Sequence, residues 1–131
     1  MILFIEDIDG HVRNFKPLLE QYDKVHHFDN LRETILFLKS NKLEDIKLVV
    51  CDHNFPIRQG EHPAPNGTSV FLELVFSDYP NTFVHFSAEP CPAKYDNGNG
   101  LNNFVNIKKE SGSQDTYNKL ERILKETYSN D

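Results

Sequence analysis

A chain of 131 residues is long enough to bury one hydrophobic core, and we expect a single domain over residues 1–131. Its 14 Lys and Arg residues stand against 20 Asp and Glu, and the net charge of −6 disfavours a nucleic-acid binder, since such domains usually carry a basic patch. No apolar run reaches the roughly 18 residues of a membrane helix, and the N-terminus lacks a signal-peptide pattern. The two cysteines form neither a CxxC motif nor a disulfide framework. These features predict a cytoplasmic, reduced protein without a membrane partner.

Apolar runs of strand length alternate along the chain with segments of helical periodicity. Pro17 is expected to disturb the middle of the first helix, and Asn30 with Glu33 forms a capping pair for the second. In chain order, the pattern predicts a strand in MILFI, a helix in HVRNFKPLLEQY, a strand in KVHHF, a helix in LRETILFLKS, a strand in KLVVCD, a helix in GTSVFLELVFSDYP, strands in TFVHFSA and NFVNIKK, and a last helix in SQDTYNKLERILKETY.

Strand–helix alternation with apolar strands predicts an α/β fold, a doubly wound five-stranded parallel sheet with helices on both faces. Short connections and right-handed crossovers favour the flavodoxin-like strand order 2-1-3-4-5. In such sheets the functional crevice lies outside the carboxyl ends of the strands, so the residues that end each apolar run are the candidate site. They are three carboxylates, one hydroxyl and one ammonium group, namely Glu6, Asp7, Asp52, Ser87 and Lys108.

These residue types suit phosphoryl transfer. Clustered carboxylates repel one another, and Mg²⁺, which prefers hard oxygen ligands, removes that repulsion. The transfer needs positioning of the phosphoryl group and neutralisation of its charge, which Mg²⁺ and a lysine supply. Taken singly, Asp52 fits a capping residue, Ser87 a loop hydroxyl and Lys108 a surface lysine. The whole set is therefore more specific than any of its members.

The set, in this order, resembles the site of response-regulator receiver domains of two-component signalling. The resemblance covers almost the whole chain, from Met1 to about Thr127, and rests on the motifs FIEDID, LVVCDHNFP, FSA and NIKK. It implies a phosphoprotein in which Asp52 accepts a phosphoryl group from a histidine kinase or a phosphotransfer protein.

The resemblance also implies a role for each remaining residue. Glu6 and Asp7 would hold Mg²⁺ together with Asp52, Ser87 would bind the acyl phosphate, and Lys108 would pair with it. The output would pass to an unknown protein target by docking or by phosphorelay. Such a protein is a stand-alone signalling domain rather than an enzyme, apart from self-dephosphorylation.

Three segments depart from the family pattern. The glycine that usually follows the phosphoacceptor closely is predicted at Gly67, so IRQGEHPAPN contains an inserted loop beside the site. The segment from Pro90 to Gly100 is predicted to be a loop, which makes the usual fourth helix degenerate. Lys108 is followed by Lys109 and not by the usual proline, and Val105 stands where receivers commonly carry an aromatic residue. Lys109 remains the alternative to Lys108 as the active lysine.

Two other functions remain open. A pseudo-receiver, an interaction module that is never phosphorylated, would explain the degenerate fourth helix. The stretch DIDG resembles the first motif of haloacid-dehalogenase-type phosphatases, in which Asp7 would be the nucleophile and Asp9 the acid/base. Those enzymes need another acidic pair after the lysine, where only Asp115 and Glu121 stand on a predicted helix, and they would leave Asp52 without a role.

Overall fold

The computed structural model describes residues 1–92, 101, 103–110 and 113–129. Within this part of the chain, five strands and four helices follow one another in the predicted order. The strands are β1 (Ile2–Ile5), β2 (Val25–Phe28), β3 (Leu48–Cys51), β4 (Thr82–Ser87) and β5 (Asn103–Lys108). The helices are α1 (Asp9–Glu20), α2 (Leu31–Ser40), α3 (Gly67–Phe76) and α4 (Gln114–Thr127), and a 3-10 turn (Leu43–Asp45) precedes β3.

All five strands run parallel in the order β2-β1-β3-β4-β5, which confirms the predicted fold class and topology. The register brings the ends of neighbouring strands level. Ile5 at the end of β1 lies opposite Phe28 of β2 and Cys51 of β3, and Ser87 lies opposite Lys108. The residues that follow these strands therefore meet at one edge of the sheet.

Both faces of the sheet are covered, which explains why β1 and β3 are continuous apolar runs. Leu3 and Val49 belong to the core beneath α2 and α3, and Phe4 and Val50 to the core beneath α1 and α4. All four side chains are fully buried. Each contributes about 1.5–3 kcal/mol of apolar transfer free energy, so the two central strands hold the acidic edge in a fixed position.

Helix α1 continues through Pro17, so the expected disturbance is wrong. Pro17 has no N–H to donate to the carbonyl of Arg13, but both residues lie on the exposed side of the helix, where water can satisfy that carbonyl. On the opposite side Phe15, Leu18 and Leu19 are buried and hold the helix against the sheet. The capping pair at the start of α2 is confirmed, because Asn30 accepts the N–H of Glu33 at 2.9 Å.

The segment between β4 and β5 is described only in part. Residues 88–92 and residue 101 contain no helix. Residues 93–100, which make up most of the loop predicted from Pro90 to Gly100, lie outside the described residues. Among the helices that the structure describes, none combines the length and the apolar character that a membrane span requires.

Candidate functional site

Three carboxylates gather at the carboxyl ends of β1 and β3. Glu6 and Asp7 follow β1 directly, Asp52 follows β3, and the pairing of the two strands places these residues side by side. One oxygen from each carboxylate lies within 4.8 Å of the other two. Glu6 is completely buried and Asp52 is 6% exposed. The structure thus brings together the acidic residues that the sequence singled out.

The lysine at this site is Lys109, and the prediction of Lys108 needs correction. The Nζ atom of Lys109 contacts Oε1 of Glu6 and lies 3.6 Å from Oδ1 of Asp52, whereas the side chain of Lys108 is exposed. The reason is the two-residue period of a strand. Val105 and Ile107 of β5 pack on the α1 and α4 side, and Lys109 continues that side one step beyond the strand. Its N–H still donates to the carbonyl of Ser87 at 2.9 Å.

Burial dominates the electrostatics of the cluster. It raises the pKa of Glu6 to about 8, although the ammonium group of Lys109 acts to lower it, and the charge of Asp52 raises it further. Burial, together with the charge of Asp52, also raises the pKa of Asp7. The cluster therefore disfavours full ionisation on its own, and a cation bound among its oxygens would favour the ionised carboxylates.

One oxygen in the cluster points to a ligand. Oδ1 of Asp7 is buried and has no hydrogen-bond partner among the described residues. A buried polar atom left without a partner costs about 1–3 kcal/mol, which a bound cation would offset. The cluster offers only hard carboxylate oxygens, the donors that Mg²⁺ and Mn²⁺ prefer. Glu6, Asp7 and Asp52 can therefore hold a divalent cation, and no other such group of potential ligands occurs in the described part of the chain.

Ser87 stands at the end of β4, beside the acidic cluster. Its side chain is 2% exposed, and its Oγ accepts the N–H of Glu89 at 3.1 Å. The hydroxyl hydrogen can be directed toward an anion in the cleft that Ser87 shares with Asp52 and Lys109. The predicted hydroxyl group therefore lines the same cleft as Asp52 and Lys109.

Gly67, the position predicted for the delayed glycine, lies against the backbone at the end of β3. A Cβ atom at this position would lie 2.6 Å from the carbonyl oxygen of Asp52 and 3.0 Å from Cα of His53. The N–H of Gly67 donates to the carbonyl of His53 at 2.9 Å. The chain thus leaves the site after Asp52, forms the inserted loop, and returns against its own starting point at a residue without a side chain.

His11 is a site residue that the sequence reasoning missed. It lies in the first turn of α1, and its Nδ1 is 3.4 Å from Oε1 of Glu6. Burial lowers the pKa of His11, and the charge of Lys109 lowers it further. The available signal was its place four residues after Asp7. The cleft of about 190 Å³ above the cluster is lined by Asp7, Ile8, His11, Asp52, Asn54, Pro63, Ser87, Ala88, Glu89 and Lys109.

Two other sequence assignments change with the structure. Asp9 is exposed at the start of α1 and does not belong to the carboxylate cluster, which speaks against its role as an acid/base partner of Asp7. With Lys109 in the site, the residue three positions before the lysine is Asn106 and not Val105. The Oδ1 atom of Asn106 lies 2.9 Å from Nδ1 of the buried His85. The residue that follows the lysine is Glu110, again not a proline.

Sequence comparison and structure comparison give different results for this chain. No protein-family model matches it, and no curated protein sequence does. Many solved structures do match, with probability 1.00, and cover nearly the whole chain. The relationship is therefore visible in the backbone and not in overall sequence identity.

Many of the matching structures are receiver domains. The Mn²⁺-bound form of response regulator Rcp1 aligns with a TM-score of 0.70 at 15% identity, over 99% of this chain and 95% of that one. The response regulatory domain of mrkE from Klebsiella pneumoniae aligns with a TM-score of 0.67 at 14% identity, over the full length of both chains. The response regulator TrrA from Thermotoga maritima, solved in complex with Mg²⁺-BeF, aligns with a TM-score of 0.60 at 17% identity, over 93% of this chain and 96% of that one. This chain has the fold of response-regulator receiver domains.

Proposed function

We propose that this chain is a response-regulator receiver that accepts a phosphoryl group on Asp52 from a histidine kinase or a phosphotransfer protein. The observation that supports this best is the surrounding of Asp52 at the sheet edge. The carboxylates of Glu6 and Asp7 lie beside it, and the buried ammonium group of Lys109 lies 3.6 Å from its Oδ1. This arrangement supplies a nucleophile, a cation site and a fixed positive charge within one small cleft.

Asp52 is held for attack through one of its two oxygens. Oδ1 accepts the N–H of His53 at 2.7 Å and faces Nζ of Lys109. We therefore assign the attack on phosphorus to Oδ2. As the bond from Oδ2 to phosphorus forms, the bond from phosphorus to the imidazole nitrogen of the donor breaks, and its electron pair returns to that nitrogen.

Glu6, Asp7 and Asp52 would hold Mg²⁺, which supplies neutralisation of the negative charge on the transferring phosphoryl oxygens. Glu6 uses both of its oxygens within the protein. Oε1 contacts Lys109, and Oε2 accepts the N–H of Ile8 at 3.3 Å. Asp7 therefore offers the freest ligand oxygen, while Glu6 chiefly positions Lys109.

The product state would be recognised by Ser87 and Lys109. A phosphoryl group brings a charge of about −1.5 to −2 and three acceptor oxygens into the cleft. The Ser87 hydroxyl and the Lys109 ammonium group are donors that line it. Movement of Ser87 would displace the loop after β4, because the N–H of Glu89 in that loop donates to the Ser87 hydroxyl. We expect the output to be docking on a protein target or phosphorelay in the cytoplasm, without a nucleic-acid partner and without enzymatic turnover beyond self-dephosphorylation.

The test is phosphorylation by a small donor. The chain is incubated with acetyl phosphate and Mg²⁺ and examined by intact-mass spectrometry, with Asp52→Asn as the negative variant and Asp9→Asn as its matched control. We expect one phosphoryl group on the wild-type chain and on Asp9→Asn, and none on Asp52→Asn or in chelator. Absence of labelling in all of them would favour the pseudo-receiver, and continuous turnover that depends on Asp7 and Asp9 would favour the phosphatase.

A further inference from the structure

The inserted loop, residues 57–66, follows a fixed path beside the site and is called the strap below. Its far end is paired with the residue that precedes Pro56. Phe55 and Ala64 exchange both backbone hydrogen bonds, at 3.1 and 3.2 Å. The side chain of Asn66, which is 9% exposed, donates to the carbonyl of Phe55 at 2.7 Å. The strap is therefore closed into a loop by backbone pairing close to Asp52.

The near end of the strap is tied to the start of α2. The carbonyls of Pro56 and Ile57 accept the N–H groups of Leu31 and Arg32, both at 2.9 Å. These are the first helical N–H groups, which have no partner inside the helix. Between the two ends, a turn at Gly60 with φ +88° directs the chain back toward the site. Anchors at both ends make the strap a fixed structural part of the cleft.

Pro63 is the strap residue that reaches the cleft. It lines the cleft together with Asn54 and Asp52, while its outer side is exposed to solvent. Ile8 and His11 line the same cleft. A proline ring is apolar and its nitrogen carries no hydrogen, so the side chain of Pro63 offers neither a donor nor an acceptor to hold a water molecule. The strap thus places an unreactive surface next to the phosphoacceptor.

We propose that Pro63 slows the attack of water on the acyl phosphate of Asp52 and so prolongs the phosphorylated state. In hydrolysis, the oxygen of water bonds to phosphorus and the bond from phosphorus to the Asp52 oxygen breaks. Its electron pair restores the carboxylate, inorganic phosphate leaves, and a proton passes to solvent. An apolar wall that offers water no hydrogen bond on its approach to phosphorus would lower the rate of this step without touching the reacting atoms. The inference rests on the proposed function.

The experiment measures the lifetime of the phosphorylated chain. Wild type, Pro63→Gly and Pro63→Ala are labelled with acetyl phosphate and Mg²⁺, the donor is removed, and the loss of the phosphoryl group is followed by intact-mass spectrometry. We expect both variants to lose the phosphoryl group roughly three- to tenfold faster than wild type. A tenfold change corresponds to about 1.4 kcal/mol of activation free energy. Pro63→Val, which keeps an apolar wall, should restore most of the lifetime.

Pro65→Ala is the matched control, because it removes a proline from the same strap at a residue that does not line the cleft. It should leave the lifetime within twofold of wild type, which separates the wall from the general stiffness of the strap. Equal lifetimes in wild type, Pro63→Gly and Pro63→Ala would overturn the inference while leaving the proposed function intact. A wild-type chain that takes up no label would overturn both. If Pro65→Ala accelerates hydrolysis as much as Pro63→Ala does, strap stiffness and not the wall controls it, and the inference fails.

Discussion

Replacement of Gly67 by alanine should destabilise the fold and impair the site together. The added Cβ would lie 2.6 Å from the carbonyl oxygen of Asp52, about 0.7 Å closer than the shortest ordinary C···O contact of about 3.3 Å. It would also lie 3.1 Å from the carbonyl oxygen of His53. Both neighbours are backbone atoms at the end of a buried strand, so no flexible side chain can move aside. Overpacking of this kind costs about 1–3 kcal/mol.

The assay is urea denaturation followed by circular dichroism, with Gly10→Ala as the matched control. Gly10 has nothing within 4 Å of its added Cβ and lies in the first turn of α1, so that variant should be unchanged or up to about 1 kcal/mol more stable. Gly67→Ala should also be labelled more slowly by acetyl phosphate, because Asp52 must shift. If Gly67→Ala is as stable as wild type, the backbone at Gly67 does not lie as close to Asp52 as the structure shows.

Three further predictions concern the charged residues. Lys109→Ala should slow phosphorylation by about 100-fold and Lys108→Ala should leave it unchanged, because only Lys109 reaches Asp52; equal effects in stopped-flow labelling would contradict the assignment. Asp7→Asn and Asp52→Asn should each weaken Mg²⁺ binding in calorimetric titration, and unchanged affinity in both would place the metal elsewhere. In chelator, Glu6 should make a contribution to the free energy of unfolding that falls as pH rises from 4.5 toward 8, by at most about 1.4 kcal/mol per pH unit, because folded Glu6 keeps a proton that the unfolded chain releases. In urea titrations, the pH slope of wild type should therefore be more negative than that of Glu6→Gln, and equal slopes in the two would contradict the raised pKa of Glu6.

The sheet and the acidic edge were predictable because their signals are strong. β1 and β3 lie at the centre of the sheet and are buried on both faces, so Leu3 and Val49 sit in unbroken apolar runs. The carboxylates that end such runs must meet at the sheet edge once the strands are parallel. Gly67 was identified by its position at the start of α3. The structure explains why a glycine stands there, because the close approach to Asp52 leaves no room for a side chain.

The choice between Lys108 and Lys109 was harder because β5 lies at the edge of the sheet. Its residues are only partly buried, so the apolar alternation that fixes which side faces the core is weak, and a shift by one residue exchanges the two sides. Ile107 was the informative position, because its side is the buried one and Lys109 continues it. The expected disturbance of the first helix at Pro17 was wrong because the cost of a proline depends on whether the carbonyl that it leaves unpaired faces water, which the sequence does not show.

Chemical trapping of the phosphoryl group tests the central claim most directly. The wild-type chain is labelled with acetyl phosphate and Mg²⁺ and reduced with borohydride, which converts an aspartyl phosphate to homoserine, and its peptides are sequenced by mass spectrometry. The account predicts homoserine at position 52 alone. Homoserine at position 7, or a chain that carries phosphate on another residue while Asp52 stays intact, would contradict it.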